Sequence, residues 1–202
     1  MITEDKIAIR NALLKGEIVC LPTDTFYSLS VIYDNLISLT NLSDLKKTEN
    51  PILLLLPSIA HLELVSFEVN NLWLGWLEMV WPSAITFIVP ARKLLYPVIT
   101  RGTEKVGVRV PQNPDLLDLL LELDKPVTGT SANPINLDPA RNPQEAEKYF
   151  PDLKIWKLNN FNESKKPSTI IDLTTEKPTL LRQGIVEITD LPPFPLVPFN
   201  EY

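Results

Sequence analysis

Leu21-Pro22-Thr23-Asp24-Thr25-Phe26-Tyr27-Ser28-Leu29-Ser30 is the stretch on which the reading of this chain turns. It follows Glu17 to Leu21, a short apolar run between Gly16 and Pro22 with the length and flanks of a buried strand. Pro22 has no amide hydrogen to give a ladder, so the strand is predicted to stop there and a loop to run on to Ser30. Two threonine hydroxyls, a carboxylate and a phenol then gather just past a strand end, where an α/β sheet opens its ligand crevice. The same residues also suit a Thr/Asp turn that caps the next element through its own side chains.

Composition narrows the chemistry. At 202 residues, 45% hydrophobic and 22% charged, the chain fits one globular domain, or one domain with a short appendage, that buries a real core. Nineteen prolines against six glycines argue for many fixed turns, and neither G-x-G-x-x-G nor G-x-x-x-x-G-K-[ST] occurs. A nucleotide bound here would need something other than a glycine-rich loop to hold its phosphates. The net charge of -6 disfavours a general nucleic-acid binder while leaving room for a local basic cleft. The single cysteine, Cys20, excludes an internal disulfide framework, and its apolar strand suggests burial as a small hydrophobe. The single histidine, His61, has no evident partner, which argues against a zinc cluster or a Ser-His-Asp triad. Met1-Ile2-Thr3-Glu4-Asp5 shows no charged-then-apolar signal pattern and no apolar run has membrane-spanning length, so no membrane association and a cytoplasmic location are expected.

Outward from the opening stretch, Thr3 is a predicted cap for a helix to about Lys15, stopped at Gly16. Leucines at 36, 39, 42 and 45 suggest a helix over 35–45, ending in Lys46 and Lys47. Ile52 to Leu56 reads as a strand covered on both faces. Helices are predicted over 58–64 and 70–80, the second with Trp73, Trp76, Leu77 and Val80 as a core stripe rather than base-stacking platforms. Ala84 to Val89 alternates as a strand, Val106 to Val110 is another, and Asn113-Pro114 caps a helix to Leu123. Val127 to Thr130 is a predicted strand running into Ser131-Ala132-Asn133; Asn142 opens a helix with Glu145 three residues on. Lys154 to Leu158 is a strand, 159–166 a polar loop, and 168–174 and 179–184 two last strands around a turn. Residues 1–190 are expected to form one domain and 191–202 a proline-rich arm, folded only where it finds a surface.

Five polar clusters thus fall at strand ends or adjoining loops: Thr23 to Thr25; Lys46 and Lys47; Arg109; Ser131 with Asn133; and Ser168 with Arg182. Together they supply hydroxyl and amide hydrogen bonds and up to four cations, which suits a polyphosphate plus a small zwitterion. Separately, Arg109 also suits a surface strand charge, the lysines a solvated helix end favoured by the dipole, and Ser131 with Asn133 a turn.

The order and wording of these clusters resemble the YrdC family of L-threonylcarbamoyladenylate synthases. LPTDTFYSLS, the lysine-rich segment before NPILLLL, WPSAITFIV, VGVRVP, TGTSAN, PSTIIDLT and TLLRQG occur in the family's order over roughly residues 16–187. The resemblance implies a single α/β domain, a twisted mixed sheet with flanking helices around a concave polar cavity for ATP and threonine. The implied reaction joins threonine, bicarbonate and ATP into threonylcarbamoyl-AMP and pyrophosphate, for later modification of tRNA at position 37. It implies that Thr23, Thr25 and Arg109 hold threonine, Arg109 by its carboxylate, with Ser168 at the same end. Ser131 and Asn133 lie between threonine and nucleotide, Arg182 contacts ATP, and Lys46 and Lys47 take the phosphates, making Lys46, Lys47, Ser131 and Asn133 the catalytic group. Magnesium, held mainly by the triphosphate, is the implied cofactor, with no protein metal site; downstream tRNA-modification proteins are implied partners, and tRNA or double-stranded RNA possible ones. Lys46-Lys47-Thr48 lacks the arginine of the family's lysine-x-arginine pair, and serine replaces the usual glycine at Ser28 and Ser83. A diverged nucleotide- or RNA-binding relative is the alternative these departures leave.

Overall fold

Residues 1–66, 69–158 and 166–196 are described by a computed structural model. The chain begins not as a helix but as strand β1 (Ile2–Thr3), because Ile2 and Thr3 pair in parallel with a strand far along the chain. Helix α1 (Lys6–Leu14) therefore starts two residues later than Thr3 would place it, capped by Asp5, whose Oδ1 accepts from the amides of Ile7 and Ala8. Gly16 ends it with φ +80, as expected of a left-handed stop.

Strand β2 (Val19–Pro22) does end at Pro22, but the chain turns straight back as β3 (Tyr27–Ser30), antiparallel to it. The predicted loop is thus a hairpin whose second strand has a period of two: Tyr27 and Leu29 enter the core, while Ser28 and Ser30, both buried, bond each other at 3.1 Å. Helix α2 (Leu36–Lys46) follows, capped by Asn35. Leu39 and Leu42 are buried but Leu36 and Leu45 are exposed, since a strict spacing of three drifts round a helix of 3.6 residues per turn. Ser38 and Lys46 complete the buried face instead.

Of the Ile52 to Leu56 run, only β4 (Leu54–Leu55) joins a ladder, the ends being held by Ile52 N to Ile99 O at 2.8 Å and Leu56 N to Arg109 O at 2.8 Å. A 3-10 helix (Ile59–Leu64), α3 (Asn71–Val80), β5 (Ile85–Pro90), the single turn α4 (Pro97–Thr100), β6 (Lys105–Arg109) and α5 (Pro114–Leu123) come next. Strand β5 is buried at every position but Ile88, which is only partly exposed; paired on both sides, it lacks the alternating polar face expected of it. The predicted strand over 127–130 breaks at Gly129 into β7 (Val127–Thr128) and β8 (Thr130–Ser131). A Cβ on Gly129 would lie 2.9 Å from Leu55 Cγ, so only glycine lets the chain pass there. Helix α6 (Pro143–Tyr149), β9 (Lys154–Trp156), β10 (Thr169–Asp172) and β11 (Thr179–Arg182) complete the main elements. Of the polar loop expected over 159–166, residues 159–165 lie outside the described residues.

The expected mixed α/β architecture is realised as two mixed sheets, ordered β1-β9-β2-β3-β8 and β11-β10-β5-β6-β4-β7. Gly129 is where the chain leaves the second for the first. The larger core packs Trp76 and Trp81 edge-to-face on Phe87 and Trp73 on Trp76, so the tryptophans are structural, as their spacing suggested. A second cluster joins α1 to α5 through Ile9, Leu13, Leu116 and Leu120. Phe194 lies 4.9 Å from the Trp76 ring, and Trp76 Nε1 donates to Pro192 O at 3.1 Å, so the described start of the proline-rich arm rests on α3; residues 197–202 lie outside the described residues.

Gly184 sits where the chain after β11 crosses the segment before β10. A Cβ there would lie 2.3 Å from Pro167 O and from Ser168 C, both backbone atoms that cannot swing away. Gly184→Ala is therefore expected to push residues 167–169 aside and to lower unfolding free energy by about 1–3 kcal/mol, read from the urea midpoint; an unchanged midpoint would refute the close packing.

Candidate functional site

A cavity of about 460 Å³ opens between the two sheets, within the usual range for small-ligand sites. Thr23, Thr25 and the cross-strand pair Ser28 and Ser131 line it from the first sheet; Thr86, Arg109, Ser168 and Arg182 line it from the second. The hairpin turn, β8, the ends of β6 and β11 and the start of β10 thus bring together six residues from across the chain that were singled out there. Lys46 and Asn133 join them through Ser131, whereas Lys47 does not: it is the exposed left-handed residue, φ 49, that ends α2.

The threonine turn both caps itself and faces the cavity. Thr23 Oγ1 donates to Phe26 O at 2.7 Å and accepts from Thr25 N at 3.2 Å. Having one proton, Thr23 must then accept the hydroxyl of Thr25, 3.1 Å away. Thr25 Oγ1 is left with its lone pairs, an acceptor for a ligand ammonium or hydroxyl.

Arg109, 2% exposed, is not a surface charge. Its Nε has no hydrogen-bond partner, and Asp24 Oδ2, 3.9 Å away, has none either. The other Asp24 oxygen accepts from the amides of Gln112 and Asn113 at the start of α5. Burial pulls the Arg109 pKa down and the Asp24 charge pushes it up, but a guanidinium stays protonated. The result is a fixed, incompletely paired cation at the cavity wall, complementary to a carboxylate. Arg182 stands nearby: Nε donates to Ser168 O at 3.0 Å and Nη2 to Ser168 Oγ at 3.2 Å. Burial lowers its pKa, and the charge of Arg109 lowers it further. Ser168 Oγ in turn lies 2.9 Å from Thr86 Oγ1. Thr86 was missed in the sequence, where the one hydroxyl in the apolar run Ile85 to Val89 was the available signal.

Lys46 is not a solvated helix end. Its Nζ donates to Ser131 O and Asn133 O, each at 2.7 Å, and to Asn133 Oδ1 at 2.6 Å, with Ser131 Oγ at 3.3 Å. No carboxylate pairs with it among the described residues, and burial pushes its pKa down to about 8. Asn133 Oδ1 also accepts from Ser131 Oγ at 2.6 Å, while its Nδ2 donates to Pro134 O and Leu137 O. Asn133 thus shapes the loop that Lys46 holds.

Neither serine at the glycine positions has a left-handed backbone: Ser28 is part of β3, and Ser83 is not among the positive-φ residues. The Ser28 hydroxyl turns to Ser30 and to Leu21 O at 3.4 Å, so the change adds a polar group to the cavity wall without backbone strain. His61 does have partners: Nδ1 lies 2.9 Å from Ser58 Oγ and Nε2 3.0 Å from Asp124 Oδ1. That Asp124 side chain is 88% exposed, and none of the three residues lines the cavity. Cys20 is buried, its thiol pushed up to about 12 by burial, and acts as a core residue. No helix among the described residues is long and apolar enough to cross a membrane.

Comparison with known proteins gives the same pattern. The Sua5/YciO/YrdC family, described as telomere recombination, matches residues 11–184. Threonylcarbamoyl-AMP synthase of Aliivibrio fischeri is 29% identical over 184 residues, 86% of this chain and 96% of that protein. The enzyme of the same name from Pyrococcus abyssi is 28% identical over 197 residues, 94% of this chain but 57% of that longer protein. The structure of P. abyssi Sua5 complexed with L-threonine superposes with a TM-score of 0.80 at 26% identity, over 89% of this chain and 55% of that one. E. coli YciO shares the fold, with a TM-score of 0.77 at 23% identity over 91% of this chain and 92% of that one. Two sheets splayed around an arginine-lined cavity, a match running through nearly every cluster that builds it and relatives that align over most of the length lead to one assignment: the chain belongs to the Sua5/YciO/YrdC family.

Proposed function

We propose that this protein is a threonylcarbamoyl-AMP synthase, joining threonine, bicarbonate and ATP with release of pyrophosphate. The observation that carries the reading is Arg109, a buried guanidinium with one unpartnered nitrogen at the wall of a polar cavity, in a chain whose relatives bear that name. In this reading Arg109 takes the carboxylate of threonine, with Thr23 holding Thr25 so that its free acceptor meets the amine or hydroxyl. Ser168, braced by Thr86 and Arg182, closes the same end. The amine takes up bicarbonate as a carbamate with loss of water, and a carbamate oxygen attacks the α-phosphorus as pyrophosphate departs. Such a displacement needs alignment and charge neutralisation more than a nucleophilic side chain. Ser131 and Asn133, held by Lys46, lie between the two substrates; Lys46 and Arg182 supply positive charge toward the nucleotide, with Lys47 at the outer edge.

Magnesium enters with the nucleotide as MgATP. No cluster of three or more acidic, histidine or cysteine side chains suited to a metal occurs among the described residues, and the two guanidiniums suit a phosphate-borne ion better than a resident one. The product would be passed in the cytoplasm to downstream tRNA-modification proteins for tRNA position 37. A net charge of -6 favours that indirect route over an RNA surface of its own.

Pyrophosphate release from MgATP and bicarbonate is expected to require threonine, with threonylcarbamoyl-AMP identified by mass. Folded protein that binds ATP but forms no product would make this a diverged nucleotide-binding relative instead.

A further inference from the structure

A groove of about 510 Å³, sharing no lining residue with the polar cavity, runs between the end of α1, the start of α2 and the end of α5. Leu13, Ile32 and Leu123 are buried beneath it, while Leu14, Leu36 and Ile37 line it 52%, 49% and 75% exposed. Ile7, two turns before Leu14 on α1 and 67% exposed, prolongs the apolar strip. Ile37 is the second residue of α2, a place where the helix dipole favours a carboxylate and a β-branched apolar side chain gains nothing from water. The walls of the groove are held in place by polar bonds at its edge. Ser38 Oγ donates to Gly16 O at 2.8 Å, and a Cβ on Gly16 would lie 2.7 Å from that hydroxyl, so the end of α1 is fixed against α2. Lys125 Nζ donates to Asp34 Oδ2 at 2.6 Å and ties in the chain after α5. A surface so braced needs no reordering before it is covered.

Charge indicates what covers it. Around the groove Lys15 and Lys125 stand against Asp34 and Asp124, and the ion pairs between α1 and α5 set Lys6 and Arg10 against Asp118 and Glu122. These charges cancel, so the net -6 resides on the rest of the chain. Elsewhere a second copy of the chain meets an excess of its own sign, while here it meets none. A nucleic acid or a strongly basic segment, by contrast, finds no field on this face to draw it in. The face also carries both the projecting Ile37 and the hollow beside it, which is what a contact between identical surfaces uses.

We infer that two copies of this chain associate about a two-fold axis through this groove, the start of α2 of each copy seated against α1 and α5 of the other. Lys46 lies at the opposite end of α2, about 15 Å along the helix, so the contact leaves both polar cavities open.

Sedimentation equilibrium of the full chain from about 1 to 100 μM is expected to show a dimer forming within that range. Ile37→Asp puts a carboxylate where the dipole accepts it, so the melting temperature of the separated chain should hold, while the charge would be buried in the contact. It is expected to raise the dissociation constant of the dimer by at least about 100-fold. Leu72→Asp is the matched control: Leu72 is the second residue of α3, 59% exposed and outside the groove, and its substitution should leave the dimer intact. A chain that stays monomeric throughout would overturn the inference and leave the groove to a different protein. A dimer that survives Ile37→Asp, or one that Leu72→Asp breaks instead, would place the contact on another face and overturn it as well.

Discussion

Arg109→Ala is expected to cut threonine-dependent product formation by about 10²- to 10³-fold and to weaken threonine binding to match, while ATP binding persists. The magnitude is that of removing one partner from a buried, charge-assisted contact. Arg109→Lys keeps the charge but not the planar fork, so it should recover only part of the activity. The substitution also has a structural cost that must be separated out. Arg109 is the charge nearest the unpartnered oxygen of Asp24, whose other oxygen anchors the amides at the start of α5. Without Arg109, a buried carboxylate loses its counter-charge, a loss of about 3–5 kcal/mol in comparable cases. Asp24→Asn combined with Arg109→Ala should therefore regain much of the stability and none of the threonine binding. If Arg109→Ala stays folded and binds threonine as before, the cavity wall is not a carboxylate site and the proposed reaction loses its anchor.

How far the sequence exposed this site varied with the kind of constraint. Caps and stops were mostly legible because they are local: Asn113 and Asn142 each cap the helix they precede and Gly16 stops α1, although Asp5 rather than Thr3 caps it. The tryptophan stripe was legible because helical spacing alone places Trp73, Trp76 and Val80 on one face. Pro22 and the Thr/Asp turn hid the strand over Tyr27 to Ser30, whose serines bond each other and leave the apolar pair to the core. The break at Gly129 depends on Leu55, more than seventy residues earlier, and no local pattern carries that. Among the site residues, those in the hairpin turn and at strand ends could be found by position. Thr86 sits inside an apolar strand and is revealed only by what it touches, Ser168.

Lys46→Met is expected to lower product formation by about 10²- to 10³-fold, through two effects that pH separates. Removing the ammonium strips Ser131 O, Asn133 O and Asn133 Oδ1 of a common donor, so the loop loosens; it also removes a cation from the end of the cavity proposed to take the nucleotide. Burial sets the folded-state pKa of Lys46 near 8, below the ordinary 10.5, while the four acceptors around it favour the charged form. Between about pH 8 and 10.5 the unfolded chain therefore binds the proton that the folded one has released, so this residue makes stability rise with pH across that window and leaves it flat below. In the proposed reaction phosphate binding has the opposite sign, because there the ammonium meets ATP: kcat/KM for ATP should fall as pH rises through about 8, while kcat at saturating ATP holds to higher pH, bound phosphates keeping the proton on. Lys46→Met should abolish both slopes at once. A variant that lost activity yet kept the fall in kcat/KM near pH 8 would assign that titration to another group and leave Lys46 as a brace for the Ser131 to Asn133 loop alone.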